Sequence, residues 1–154
     1  MSDLRAGIGP IGIWSHLDTL PAASLRGHVR RAAGLGYGAL WVPETVGREP
    51  FALLGAIAES AEGMWLGTSI MGIFGRDAMT AKLGAQTLHE LTGGRFALGL
   101  GVSHPHLVQK LRGHVYEKPL STMRQFVADI HRLPYLGPLP TNTEGIPAEP
   151  PILV

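Results

Sequence analysis

Apolar runs of strand length alternate along the chain with segments in which apolar residues recur at helical spacing. The apolar runs are almost uninterrupted, which is typical of parallel strands that are covered on both faces. Successive runs start about 30 residues apart, the spacing of consecutive β/α units. The pattern predicts four strands, at Ile8 to Trp14, Ala39 to Val42, Met64 to Ile70 and Phe96 to Val102.

Four helices are predicted between and after these strands. Each carries a start or stop signal: a proline in the first turn, an aspartate N-cap or a glycine after the last turn. In the last helix we expect Leu120, Met123, Val127 and Ile130 to face inward. The predicted helices run from Pro21 to about Leu35, from Pro50 through Ala61, from Asp77 to Leu91 and from Pro119 to about Leu133.

The composition changes after residue 133. Six prolines between Pro134 and Pro151 predict a loop without helical or strand period, and Ile152-Leu153-Val154 reads as the start of a fifth strand. We therefore divide the chain into a (β/α)4 unit over residues 1–133 and a Pro-rich loop with the start of a fifth strand over residues 134–154. The predicted fold class is α/β, with about four parallel β/α units of the TIM-barrel type. At 154 residues this is a half-barrel, since a complete eightfold barrel takes about 250 residues.

Composition and charge exclude several kinds of protein. The absence of cysteine rules out disulfides, thiol nucleophiles and thiolate metal sites, and fits a cytoplasmic protein. With a net charge of +1 and no basic cluster longer than Arg30-Arg31, no nucleic-acid partner is expected. The uncharged stretch from Gly63 to Gly75 is too short to cross a bilayer, so no membrane partner is expected either.

The segment Gly7-Ile8-Gly9-Pro10-Ile11-Gly12 matches the GxGxxG pattern of dinucleotide-binding proteins. In that motif the glycines follow a strand and open a helix, and an acidic residue lies about 20 positions further on. Here the glycines precede a strand, and the acid that ends the second strand, Glu44, lies more than about 30 positions away. We therefore reject a dinucleotide site.

Polar residues follow every predicted strand. Because the carboxyl ends of parallel strands meet at one edge of a sheet, and functional groups gather there, these clusters predict one site. Glu44 could instead cap a helix or pair with Arg48. His104 and His106 could bind a metal, but two histidines are only half of a site, so no metal is predicted. The clusters are Trp14-Ser15-His16, Pro43-Glu44-Thr45, Ser69-Ile70 and Ser103-His104-Pro105-His106.

Three sequence segments resemble those of a known family, and the resemblance covers about residues 5 to 133. Leu35 to Glu44, Gly67 to Ile70 and Leu91 to Gly101 resemble the first half of the luciferase-like monooxygenases, and more closely the actinobacterial members that use the deazaflavin coenzyme F-420. The resemblance implies an eight-stranded α/β barrel that binds a flavin or deazaflavin at its carboxyl rim. It implies a small-molecule substrate and hydride transfer between a carbon of that substrate and the cofactor ring, with this chain as a luciferase-like half-barrel.

The same resemblance implies roles for individual residues. Ser69-Ile70 matches a bulge at which family members hold a non-prolyl cis peptide that backs the ring. Glu44 and His104 would be the catalytic residues that position or protonate the substrate, and no metal is implied. The implied cofactor-binding residues are Trp14, Thr45, Ser69, Ile70, Gly101 and Ser103.

Two alternatives stay open on the sequence. One keeps the family but uses FMN and molecular oxygen, as a monooxygenase. The other is a non-catalytic fragment that binds a partner, such as a copy of itself, through exposed strand edges. A half-barrel lacks strands five to eight and the phosphate site after the last two strands, so we expect weak binding of coenzyme F-420 and a homo-oligomer or aggregation. The sequence does not indicate which substrate is used.

Overall fold

The computed structural model of the protein describes residues 6–138 and 148–154, and every strand pairing in it is parallel. Helices connect the strands, as in consecutive β/α units, and no helix among the described residues is long and apolar enough to cross a membrane. The strands are β1 (Gly12–Trp14), β2 (Ala39–Val42), β3 (Trp65–Thr68), β4 (Met71–Gly72), β5 (Phe96–Gly101) and β6 (Ile152–Leu153). The helices are α1 (Ala22–Gly34), α2 (Pro50–Ile57), α3 (Ala78–Leu91) and α4 (Pro119–Arg132).

When β3 and β4 are counted as one interrupted strand, the strands lie in the sheet in the order in which they occur along the chain. β1 pairs with β2, β2 with β3, and β3 with β5, while β6 occupies the other side of β5. β4 continues β3 after an interruption at residues 69–70 and pairs with the same neighbour, β5. The predicted parallel α/β architecture is therefore confirmed.

One face of the sheet forms the core against the helices. Leu40, Leu66 and Leu98, on three successive strands, are almost completely buried there. From the helix side Leu54 of α2 and Leu88 of α3 pack into the same cluster. Burying a leucine side chain stabilises the folded state by about 1.5–3 kcal/mol, so this face supplies most of the hydrophobic stabilisation of the sheet.

The opposite face of the sheet carries all three tryptophans of the chain. In-register residues of parallel strands share a face, and Trp14 is in register with Trp41, and Trp41 with Gly67. Trp65 lies two residues before Gly67 on β3, so its side chain points to the same face. The ring of Trp41 lies across Gly67, where a Cβ atom would come within 2.3 Å of it. We call this side, with Trp14, Trp41, Trp65, Gly67 and Gly99, the open sheet face. Trp14 is 57% exposed on it.

Several predicted boundaries and one predicted inward residue are wrong. The first strand is Gly12–Trp14 rather than Ile8 to Trp14, because residues 6–8 form a helical turn and Gly9 has a φ of 70°. The helix predicted from Pro50 through Ala61 ends at Ile57 and continues as a 3-10 turn over Ala58–Ser60. Leu120 is exposed, because it lies in the first turn of α4, whose buried residues begin at Met123.

The segment after α4 contains no regular structure at residues 134–138 or 148–151, and β6 follows at Ile152–Leu153. The central part of the predicted loop, residues 139–147, lies outside the described residues. Pairing of Leu98 with Ile152 and of Gly99 with Leu153 places this last segment beside β5.

Candidate functional site at the carboxyl ends of the strands

Two hollows border the carboxyl ends of the strands. The rim cleft has a volume of about 540 Å³, and the sheet hollow, on the open sheet face, about 290 Å³. A backbone hydrogen bond links them, since the Glu44 N–H donates to the Ile70 carbonyl over 2.9 Å. The rim cleft is lined by Glu44, Thr45, Arg48, Glu49, Arg76, Ser103, Leu107, Leu111 and Arg112, among others. The sheet hollow is lined by Trp14, Trp41, Thr68, Ser69, Ile70, Gly99, Leu100, Leu153 and Val154.

The peptide between Ser69 and Ile70 forms the back of the sheet hollow. Its bond is cis and non-prolyl, as the sequence resemblance implied. The indole N–H of Trp14 donates to the Ser69 carbonyl over 2.9 Å, and the Ser69 N–H donates to the Val42 carbonyl over 2.9 Å. Ile70 lies against Gly101, where a Cβ atom would come within 2.5 Å of its side chain. Groups from β1, β2 and β5 therefore position this peptide.

Glu44 is fixed at the floor of the rim cleft by four hydrogen bonds. The Gly72 N–H donates to Oε2 over 2.7 Å, and the Arg76 guanidinium donates to both carboxylate oxygens over 3.1 Å. The Arg112 Nη2 donates to Oε1 over 2.6 Å. The side chain is only 9% exposed. Charge-assisted hydrogen bonds of this kind are strong, so the carboxylate anchors two guanidinium groups at the edge of the sheet.

Pairing of Glu44 with Arg48, the structural alternative from the sequence, does not occur. Arg48 donates instead to the carbonyls of Leu17 and Leu20, over 2.6 and 2.7 Å. The guanidinium thereby holds the segment after β1 beside the segment after β2. Its position at the cleft comes from backbone carbonyls rather than from a carboxylate.

The Thr45 hydroxyl is also engaged within the protein. It donates to Asp18 Oδ2 over 2.6 Å and accepts from the Gly47 N–H over 3.1 Å. The second oxygen of Asp18 is buried without a hydrogen bond among the described residues. Thr45 therefore shapes the wall of the cleft by fixing its own loop.

The structure brings together most of the residues proposed from the sequence. Glu44, Thr45 and Ser103 line the rim cleft, while Trp14, Ser69 and Ile70 line the sheet hollow with Gly101 behind Ile70.

The histidines after β5 lie apart from both linings. His104 is exposed and contributes to neither hollow, and the irregular segment that contains it leads into a π-helical turn at His106–Leu111. Within residues 6–138 and 148–154, no three histidine, aspartate or glutamate side chains are grouped to hold a metal.

Sequence reasoning missed the arginines that complete the rim cleft. Arg76 lies soon after β4, so its position near a strand end was a usable signal. Arg112 follows the π-helical turn, and no motif in the sequence identifies it. Trp41 was also missed, because a tryptophan inside an apolar strand reads as a core residue rather than as the wall of a hollow.

A sequential parallel sheet with polar side chains gathered at its carboxyl edge is the arrangement of a partial TIM-barrel-type α/β fold. The model of one protein family, described as luciferase-like monooxygenase, matches residues 9–144. The chain belongs to this luciferase-like monooxygenase family.

Similar proteins include both deazaflavin and flavin enzymes. A Mycobacterium tuberculosis protein with the name putative coenzyme F-420-dependent oxidoreductase is 32% identical over 135 residues, which are 88% of this chain and 38% of that protein. The oxygenating constituent of 3,6-diketocamphane monooxygenase from Pseudomonas putida, solved with FMN, matches 90% of this chain and 43% of its own with a TM-score of 0.69 and 13% identity. The coenzyme F-420-dependent tetrahydromethanopterin reductase of Methanopyrus kandleri matches 79% of this chain and 39% of its own with a TM-score of 0.69 and 17% identity. The chain thus spans about two fifths of these relatives.

Proposed function

We propose that the chain supplies the ring-binding part of an oxidoreductase that transfers a hydride between an organic substrate and the deazaflavin coenzyme F-420. The observation that carries this proposal is the sheet hollow. Trp14, Trp41, Ile70, Leu100, Leu153 and Val154 are among its lining residues, and an apolar lining with few polar groups suits an aromatic ring system. When bound, the deazaflavin would supply the hydride chemistry.

The residues of the hollow fit the ring of such a cofactor. Trp14 is 57% exposed, so a ring stacked on it would cover apolar surface that now faces water. The hydrogen bond from its Nε1 to the Ser69 carbonyl fixes the plane of the indole. Ile70 and the Ser69-Ile70 peptide, which adjoin the indole, would contact the same ring, and the volume of about 290 Å³ accommodates the ring portion rather than a whole cofactor.

The polar residues at the carboxyl edge of the sheet would have different roles. Glu44 holds Arg76 and Arg112 in place, since its carboxylate accepts hydrogen bonds from both guanidinium groups. His104 is exposed at the same edge, where its imidazole would position or protonate the substrate. Ser103 and Thr45 would shape the wall between substrate and cofactor.

A second candidate is an FMN-dependent monooxygenase that uses molecular oxygen. The solved diketocamphane monooxygenase, which contains FMN, shares the fold and supports this alternative. The name of the relative at 32% identity favours the deazaflavin instead.

A fluorescence anisotropy titration of the purified chain with coenzyme F-420, and in parallel with FMN, tests the proposal. Because phosphate sites of such barrels lie after the seventh and eighth strands, we expect weak, saturable binding of coenzyme F-420. Losing two charge-assisted hydrogen bonds of about 1.5–3 kcal/mol each lowers the affinity by about two to four decades relative to a complete site.

Two tryptophan variants test whether the cofactor ring binds in the sheet hollow. Trp14→Ala is expected to weaken binding about two- to tenfold through lost stacking, whereas Trp65→Ala, on the same face but outside the hollow, is expected to leave the affinity unchanged. Tighter binding of FMN than of coenzyme F-420 would establish the alternative cofactor. Equal affinity of the Trp14→Ala variant and the wild type would show that the ring does not use this hollow.

A further inference from the structure

The rim cleft has more positive than negative side chains. Three arginines and two glutamates line it. Glu44 pairs with Arg76 and Arg112, and Glu49 pairs with Arg76. Among the residues that the structure describes, no carboxylate lies within 4.0 Å of the Arg48 guanidinium. The positive charge of Arg48 is therefore left without a paired carboxylate at the edge of a cleft of about 540 Å³.

Asp18 is the nearby carboxylate that could offset this charge. It contacts the loop at Gly47, where a Cβ atom would come within 2.8 Å of it, and one of its oxygens accepts from Thr45. It does not line the cleft. A ligand inside the cleft would therefore meet the guanidinium groups and the two glutamates rather than Asp18.

Arg112 has hydrogen-bonding capacity to spare. Its side chain is 39% exposed, and the bond from Nη2 to Glu44 is its one side-chain hydrogen bond within the described part of the chain. A guanidinium has five N–H donors, so four remain. Gly75 leaves room for this group, because a Cβ atom there would come within 3.1 Å of Nη1.

Arg76 differs from Arg112 in every one of these respects. Its side chain is only 10% exposed, it makes three hydrogen bonds to Glu44 and Glu49, and its guanidinium lies 5.5 Å from the centre of the Phe51 ring. Arg76 is therefore a fixed structural group. Arg48 and Arg112 are the groups that a ligand can reach with unpaired charge or unused donors.

We propose that the rim cleft binds an anionic group of the substrate, a carboxylate or a phosphate, through Arg112 and Arg48. The planar guanidinium recognises both anions in a bidentate manner. Leu107 and Leu111 line the same cleft and provide an apolar wall for the rest of the molecule. The substrate class is thus a small organic anion with an apolar part. Its role as substrate rests on the proposed oxidoreductase function, but its binding does not.

Isothermal titration calorimetry of the 154-residue chain at low ionic strength tests this site. The probes are hexanoate, its neutral analogue hexanamide, and inorganic phosphate. We expect saturable binding of hexanoate at millimolar concentration and none of hexanamide. Comparison of the hexanoate and phosphate arms identifies the preferred anion, and binding of either one supports the site.

Arginine variants test whether the anion binds in the rim cleft. Arg112→Gln is expected to weaken binding about ten- to a hundredfold, while Arg112→Lys, which keeps the charge but loses the planar fork, is expected to weaken it less. The control is Arg124→Gln on the exposed side of α4, which removes the same charge from a side chain that does not line the cleft and makes no ion pair within the described part of the chain, and it is expected to have no effect. Arg48→Gln is informative if circular dichroism shows that it folds, because Arg48 also holds two backbone carbonyls.

Two results would overturn the inference: no binding of hexanoate or phosphate up to about 50 mM, or equal weakening by Arg124→Gln and Arg112→Gln. The titration contains no cofactor. Failure of coenzyme F-420 to bind would therefore leave an anion site standing, and failure of the anion site would leave the cofactor proposal standing.

Discussion

Thr68 joins two strands through its side chain rather than its backbone. Its hydroxyl donates to the Gly99 carbonyl over 2.8 Å and accepts from the Gly99 N–H over 2.9 Å. Position 99 must be glycine for this approach, because a Cβ atom there would come within 2.0 Å of the Thr68 carbonyl oxygen. Thr68 is 1% exposed and Gly99 is also buried, so neither backbone group of Gly99 has water as an alternative partner. The hydroxyl thus completes the pairing of β3 with β5 beside the Ser69-Ile70 peptide.

Thr68→Val is expected to destabilise the protein by about 1–3 kcal/mol. Valine keeps the shape of threonine but leaves the N–H and the carbonyl of Gly99 buried without partners. Urea unfolding followed by circular dichroism measures the effect. The matched control is Thr87→Val on the exposed side of α3, expected to stay within about 0.5 kcal/mol of the wild type. Equal stability of the Thr68→Val variant and the wild type would show that the pairing does not need the hydroxyl.

The residues at the strand ends were predictable from sequence, whereas their partners were not. Glu44 and Ser69 could be placed at one edge because the ends of parallel strands always meet there. Arg76 and Arg112 reach Glu44 from 32 and 68 residues away, and their approach depends on how the loops after β4 and β5 pack. A single sequence carries no periodicity that reports such loop contacts.

At the scale of elements, Lys82 connects α3 to the end of α4 and to the segment that leads into β6. Its buried ammonium donates to the carbonyls of Ile130 and Leu133, over 3.0 and 2.7 Å, and forms an ion pair with Glu149. The last carbonyls of a helix lack intrahelical partners and favour a cation. One side chain therefore ends α4 and holds the chain where it returns to the sheet.

We expect Glu149 to make stability depend on acid pH. Partial burial acts to raise the pKa of Glu149, but hydrogen bonds and charges from Lys82 and His131 outweigh burial and lower this pKa below its ordinary value of 4.5. A group whose pKa is lower in the folded state stabilises the fold above its unfolded pKa, and this contribution is lost as the pH falls through the folded pKa. Glu149→Gln should thus be less stable than the wild type at pH 7, and the difference should shrink toward about pH 3.

Urea unfolding at several pH values checks this expectation. Glu62→Gln, at an exposed position, serves as the control and should run parallel to the wild type. A stability difference between Glu149→Gln and the wild type that stays constant from about pH 7 to pH 3 would contradict the assigned role of the ion pair.

The starts of the four helices were predicted to within one residue, whereas the first strand was predicted to start at Ile8 instead of Gly12, and local chemistry explains the difference. Asp77 accepts from the Thr80 N–H over 2.8 Å, and Glu49 accepts from the Ala52 N–H over 2.7 Å, so the two helix starts are set by neighbouring residues. Nothing comparable marks the start of β1. The apolar run from Ile8 continues through a helical turn before the strand begins.

At the scale of the whole molecule, α1 to α4 pack against one face of the sheet. On the open sheet face the turn at residues 6–8 lies against Trp65, whereas Trp14 is 57% exposed. The sheet ends at β1 on one side and at β6 on the other. Ile11, Trp14 and Val154 are exposed large apolar residues at these two ends. Unpaired edges beside exposed apolar side chains favour association with another chain.

We propose that the 154-residue chain associates with itself through this face and these edges. A two-fold axis parallel to the strands would place β6 of one copy beside β1 of the other in the parallel sense, at both edges at once. Sedimentation velocity is expected to show a dimer or larger species. Trp14→Lys should reduce association by adding a charge to the open sheet face, whereas Leu120→Lys, on the exposed start of α4, should not. A sharp monomer peak for the wild type, with cooperative thermal unfolding, would refute this proposal.

The sequential order of the strands has a consequence for how the protein forms during synthesis. Gly12 pairs with Ala39, Ala39 with Trp65, and Leu66 with Phe96, so each pairing closes a loop of about 30 residues. The two strands of each pair follow one another in the order of synthesis, with a helix between them. A newly made strand therefore finds its partner already present in the emerged chain, and the sheet can grow from the amino terminus one β/α unit at a time on the ribosome.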